Sequence, residues 1–95
     1  MKDIEFEWDE NKREINLKKH GLDFCRAIDV FLEPMVTQKI LRNDEVRYKS
    51  IGVLRHNGIK IGVSVIHTPR KDNIRIISFR RARREEEKLY DEKFN

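Results

Sequence analysis

Cysteine is nearly absent from this 95-residue chain, and Cys25 stands alone. A single thiol forms no internal disulfide, and with no Cys/His spacing around it there is no zinc-type site. Four glycines and two prolines leave no glycine-rich phosphate loop, and no serine sits in a nucleophile elbow. Carboxylates do not cluster as a two-metal nuclease requires. No apolar run approaches the ~20 residues of a membrane span. The opening Met1-Lys2-Asp3-Ile4-Glu5 is too acidic for a signal peptide, so a cytoplasmic location is expected. A chain this short has a thin core and cannot also enclose a large cofactor, so none is expected. These absences leave chemistry that needs only acids, bases and cations.

What the chain does have is charge. Charged residues make up 40% and hydrophobic ones 38%, but the apolar residues recur with strong periodicity, which argues for a folded chain. The net charge of +4 is unevenly spread. Between Arg70 and Arg84 the bases Arg70, Lys71, Arg75, Arg80, Arg81, Arg83 and Arg84 face one acid, Asp72. A charge run is usually a solvated face. Clustering this strong instead marks a surface for a polyanion such as RNA.

Ile4, Phe6 and Trp8 alternate with acids, which predicts a short half-buried strand with Trp8 in the core. Asp9 can cap a helix running to about His20, and Gly21 stops it. Asp23 caps a second helix carrying Phe24, Ala27, Ile28 and Phe31 at helical spacing, ended by Pro34. Met35 to Arg42 reads as a strand with a turn at Asn43-Asp44. Arg47 to Leu54 and Ile59 to Thr68 flank His56-Asn57-Gly58, a hairpin signal. In the second arm Ile59, Ile61, Val63 and Val65 should face one way, with Lys60, Gly62 and Ser64 the other. Pro69 to Asn73 turns into a last strand, Ile74 to Phe79, and Arg81 to about Phe94 is helical. The expected fold is α+β over residues 1–95 as a single domain. It has an antiparallel sheet of about four strands plus a short N-terminal strand, two N-terminal helices and one C-terminal helix.

Arg80-Arg81-Ala82-Arg83-Arg84 straddles the last strand and the last helix. Cations at a helix N-terminus oppose its dipole at a cost of about 0.3–1 kcal/mol each. Pairs such as Arg81–Glu85 and Arg83–Glu87 offset part of that, which is the purely structural reading. A local rule broken without structural gain points instead to function, here a phosphate cradle. His20, at a helix C-terminus, can be a dipole partner or a proton carrier. His56 is expected to face solvent in its turn, and His67 near a strand end is ambiguous.

Phe6-Glu7-Trp8-Asp9, Lys12, Asn16, Lys19-His20-Gly21, Phe24 and Ala27 resemble the opening signature of the BrnT family of type II ribonuclease toxins. Glu45-Val46-Arg47, Ile51-Gly52, Arg75-Ile76-Ile77-Ser78, Arg80, Ala82, Glu86 and Tyr90 continue the match in order through nearly the whole chain. The resemblance implies a RelE-like fold and an endoribonuclease that inhibits translation. It also implies a ribbon-helix-helix antitoxin as partner, the complex binding its own promoter DNA.

For metal-independent RNA cleavage His20 suits proton transfer by its intrinsic pKa, with Glu86 as a second base. Arg80 and Arg47 suit charge stabilisation, and Tyr90 can donate a proton or stack a base. Lys12, Lys19, Arg75, Arg81, Arg83 and Arg84 would track the RNA backbone. A non-catalytic nucleic-acid-binding protein or repressor explains the basic patch equally well. It gives His20, Glu86 and Tyr90 less to do.

Overall fold

The computed structural model describes residues 4–95, so the reading of Met1 to Asp3 lies outside the described residues. The chain runs β1 (Glu5–Glu7), α1 (Glu10–His20), a 3₁₀ turn (Phe24–Arg26), α2 (Ala27–Val30), β2 (Val36–Arg42), β3 (Glu45–His56), β4 (Ile59–Arg70), β5 (Asn73–Arg81) and α3 (Arg84–Phe94). The five strands form one sheet in the order β1-β5-β4-β3-β2. Strands β2 to β5 are an antiparallel meander, but β1 pairs parallel to β5 through Phe6 and Ile74. The sheet is therefore mixed, a correction to the antiparallel expectation. A parallel pair needs a long crossover, and everything from α1 to β4 supplies one.

Turn chemistry sets the meander. Asn57-Gly58 and Asn43-Asp44 both have two successive positive φ angles, 53° and 78° in the first and 51° and 60° in the second. Such turns carry the twist of a two-residue hairpin, and Asn, Asp and Gly tolerate them. Strands β4 and β5 extend further than the sequence suggests, leaving only Lys71 and Asp72 between them, with Lys71 at φ 55°. His56 closes β3 and is half-buried rather than solvent-facing.

The core lies on one face. Leu54, Ile61, Val63, Val65, Ile76 and Phe79 meet Leu22, Phe24, Ala27 and Val30 from the N-terminal segments. Trp8 packs edge-on against Phe24 at 6.3 Å and joins the rim of this core. The expected second helix is split into the 3₁₀ turn and a four-residue α2. Close packing follows: a Cβ on Gly52 would lie 2.8 Å from Val30 Cγ1. A bulge in β5 sets Ile66 opposite Ser78 but His67 opposite Ile76, so Ile76 and Phe79, three apart, both reach the core.

Helix α1 forms for a different reason, since its one buried residue is Asn16. Asp9 Oδ1 accepts from the Asn11 and Lys12 amides, and Gly21, at φ 72°, donates its N–H to Leu17 O. Arg13 reaches Asp23 with two nitrogens at 2.7 and 2.9 Å. Asn16 acts as a missing strand partner. Its amide donates to Phe79 O at 2.7 Å and accepts from Phe79 N at 3.1 Å, pinning the helix along the edge of β5 that β1 does not cover.

Candidate nucleic-acid interface and reaction site

Strand alternation and register place Arg47, Lys49 and Ile51 of β3, Ser64 and Ile66 of β4, and Ser78 and Arg80 of β5 on the face opposite the core. Helix α3 crosses part of this face. It starts at Arg84, three residues later than expected, because β5 continues to Arg81 and Arg83 becomes the N-cap. The extra strand residues carry Arg80 under the helix.

Glu86, on the first turn of α3, is 1% exposed and meets four donor atoms from three residues. Its Oε1 accepts from Arg80 Nη1 at 2.8 Å and from the Arg83 N–H at 2.8 Å. Its Oε2 accepts from Arg80 Nη2 at 2.9 Å and takes Lys49 Nζ at 2.8 Å. Burial alone would raise this carboxyl, but the bonds from Arg80, the Arg83 amide and Lys49 outweigh it and bring it to about 2. A carboxylate so acidic, with its lone pairs already engaged, is a weak base near neutrality. The geometry recasts Glu86 as the anchor of two cations. Neither Arg81–Glu85 nor Arg83–Glu87 forms an ion pair among the described residues, and Arg81, Arg83 and Arg84 are exposed. The expected cradle of free amides is partly closed, because the Arg83 N–H serves Glu86.

A buried carboxylate beneath two cations is poor evidence of stabilisation, since desolvation offsets most of the attraction. Two positive charges on one negative leave the cluster net cationic, on a face that also holds Arg47. Arg47 Nη2 lies 3.3 Å from Glu45, while its Nε is buried without a hydrogen-bond partner.

The remaining candidates divide. His20 ends α1 at the open edge of β5, where it lines a cavity of about 210 Å³ with Lys12, Lys19, Asn16, Ile77 and Ser78. Burial, then the charges of Lys19 and Arg80, lower its pKa, so the imidazole is neutral near neutral pH. It shares the field of Arg80 without a hydrogen bond to it among the described residues. Tyr90 lies one turn beyond Glu86, half-buried and tilted on Phe94 at 4.8 Å. Arg75 is engaged elsewhere: its Nη1 holds Glu7 at 2.9 Å across the parallel β1–β5 pair. That contact gives it a structural duty.

Two residues escaped the sequence reading of roles. Lys49 could have been found from period two alone, since Arg47 was already a candidate for charge stabilisation and Lys49, two residues on in the same strand, must share its face. Asn16 carried no such signal, because nothing local marks a helix asparagine as a strand partner. His67, ambiguous in sequence, is 8% exposed on the core face between Phe31 and Tyr48, with Nε2 2.8 Å from Ser50 Oγ.

Among the described residues no three His, Cys, Asp or Glu side chains converge as a metal site, and no helix is long and apolar enough to cross a membrane. Comparison with protein families matches residues 8–86 to one described as the ribonuclease toxin, BrnT, of type II toxin–antitoxin systems. No curated protein matches the chain.

Proposed function

The chain belongs to the BrnT family of ribonuclease toxins of type II toxin–antitoxin systems, and from that premise we propose a metal-independent endoribonuclease working on the basic face beneath α3. The family supplies an RNA substrate and a protein antitoxin. The Lys49–Glu86–Arg80 cluster carries the assignment of the site, because a net cationic group that contributes little stability has a use on a phosphate. The whole chain acts as one RelE-like domain in the cytoplasm. It inhibits translation by cutting RNA until a ribbon-helix-helix antitoxin covers the site, and the complex binds its own promoter DNA.

The reaction is transesterification. The RNA 2′-oxygen attacks phosphorus and gives its proton to the neutral His20 imidazole. The bond from phosphorus to the 5′-oxygen breaks, and that oxygen takes the proton back, leaving a 2′,3′-cyclic phosphate and a 5′-hydroxyl. The net positive charge of the Lys49–Glu86–Arg80 cluster stabilises the phosphorane charge, with Arg47 on the same face. Lys12 and Lys19 beside His20, with Arg81, Arg83 and Arg84 at the β5–α3 junction, hold the flanking backbone. Induced expression in a bacterial host tests this reading. Growth and protein synthesis should stop with the parent chain and continue when the antitoxin is co-expressed. They should also continue with His20→Ala, melting within a few degrees of the parent, and with Arg80→Ala, assayed below the lower melting temperature expected once the buried Glu86 loses its arginine fork. Arrest that persists in both variants would refute it.

A further inference from the structure

Glu86 has its acceptor sites filled, so the donors left around it decide which cation is available to a ligand. Arg80 directs both terminal nitrogens at Glu86, and Nη1 also donates to Arg81 O at 3.1 Å. Its guanidinium is thus oriented into the protein, and its side chain is only 17% exposed. Lys49 differs. Its ammonium carries three donors and no acceptor, and among the described residues its single contact, with Glu86 Oε2, leaves two free. The side chain keeps 21% exposure, whereas that of Glu86 keeps 2%. It stands mid-sheet on β3, opposite Gln38 of β2 and Ile66 of β4, two residues from Arg47 on the same face.

We propose that Lys49 is the catalytic cation of this site, donating from Nζ to a non-bridging oxygen of the scissile phosphate, while Glu86 and Arg80 are positioning residues that fix its ammonium. The inference rests on the ribonuclease reading above and names the group through which the cluster acts. Glu86 restricts a flexible four-carbon side chain to one place, and Arg80 holds Glu86 from the far side. The charge thereby sits where it develops in the transition state, with no reorganisation needed during the step.

The test compares the parent with Lys49→Met and Lys49→Arg. Two readouts are taken: single-turnover cleavage of a short RNA, and binding of the same strand uniformly 2′-O-methylated, which cannot react. Lys49→Met should slow cleavage by about 10²–10³-fold, as loss of an electrostatic stabiliser does. Its affinity should fall much less, with a log–log salt slope smaller by about 0.7 because one phosphate is no longer neutralised. Lys49→Arg should restore the slope and at least tenfold of the rate. Cleavage by Lys49→Met within threefold of the parent, or a rate loss no larger than the affinity loss, would overturn the proposal. If Lys49→Met melts below the assay temperature, the parent protein carries the test through ¹³C-methylated lysines. The Lys49 signal should shift on adding the methylated RNA, and an unmoved signal would overturn the proposal as well. A parent that cuts no RNA at all refutes the ribonuclease reading, whereas an active parent with an equally active Lys49→Met refutes only the place of Lys49.

Discussion

Acid should destabilise this protein through His67 well before its carboxylates protonate. The ring is held between Phe31, at 5.0 Å, and Tyr48, at 5.9 Å, and Nε2 meets a fully buried Ser50 hydroxyl that continues to Thr37 Oγ1 at 2.9 Å. Burial lowers its pKa from the ordinary 6.5 to about 4. The folded state therefore binds the proton less well than the unfolded chain. Stability from this residue is intact above the unfolded value and is lost as pH falls from there toward the folded value. With those two values, going from about pH 7 to about pH 5 removes about 2 kcal/mol. For a domain of this length that is a fall in melting temperature of about 8–16 °C. Urea denaturation at the two pH values, on the parent and on His67→Gln, provides the measurement. Gln cannot titrate, so the variant should be less stable at neutral pH because it lacks the ring's packing, yet lose far less between the two values. Equal losses in parent and variant would refute the reasoning and move the acid sensitivity to other groups.

Two further outcomes follow from the site. Glu86→Gln leaves Arg80 and Lys49 without their counter-charge and should cost about 3 kcal/mol by thermal melting, the low end for a broken buried pair because Lys49 reaches solvent. A loss under 1 kcal/mol would mean both cations relax into water. In the parent the Glu86 contribution is present above the usual carboxyl value of 4.5 and is lost as pH drops toward about 2, so it adds to the His67 effect only in stronger acid. Changing exposed Arg83 and Arg84 together to Gln should weaken binding to all RNA sequences and lower the salt slope by about 0.7 for each phosphate they neutralise, with the fold unaltered. An unchanged slope would assign those arginines to the surface alone.

The parts of the fold that sequence reveals are those written in local chemistry. Asp9 and Gly21 bound α1 as caps must, and Asn57-Gly58 locates the hairpin between alternating strands. What local pattern cannot carry is pairing at a distance. Nothing in Ile4 to Trp8 says that β1 will lie parallel to β5 rather than antiparallel, and nothing in α1 announces that Asn16 will bond the backbone of Phe79, 63 residues away. The site divides along the same line. Arg80 and Glu86 stood out because bases and acids were crowded at a strand–helix junction. Their six-residue separation did not disclose that one carboxylate would bind the arginine fork, a helix N-terminal amide and Lys49 of another strand together. The bonds from Arg80, Lys49 and the Arg83 amide make Glu86, a candidate base in sequence, an engaged anion in the fold.

The face beneath α3 is proposed to cut RNA with its own acids, bases and cations. Purified protein incubated with RNA oligonucleotides in excess EDTA, with the product ends identified by mass, tests this most directly. Cleavage should persist undiminished and yield 2′,3′-cyclic phosphate and 5′-hydroxyl ends. Activity abolished by the chelator and restored by Mg²⁺, or products bearing 5′-phosphate, would contradict the account.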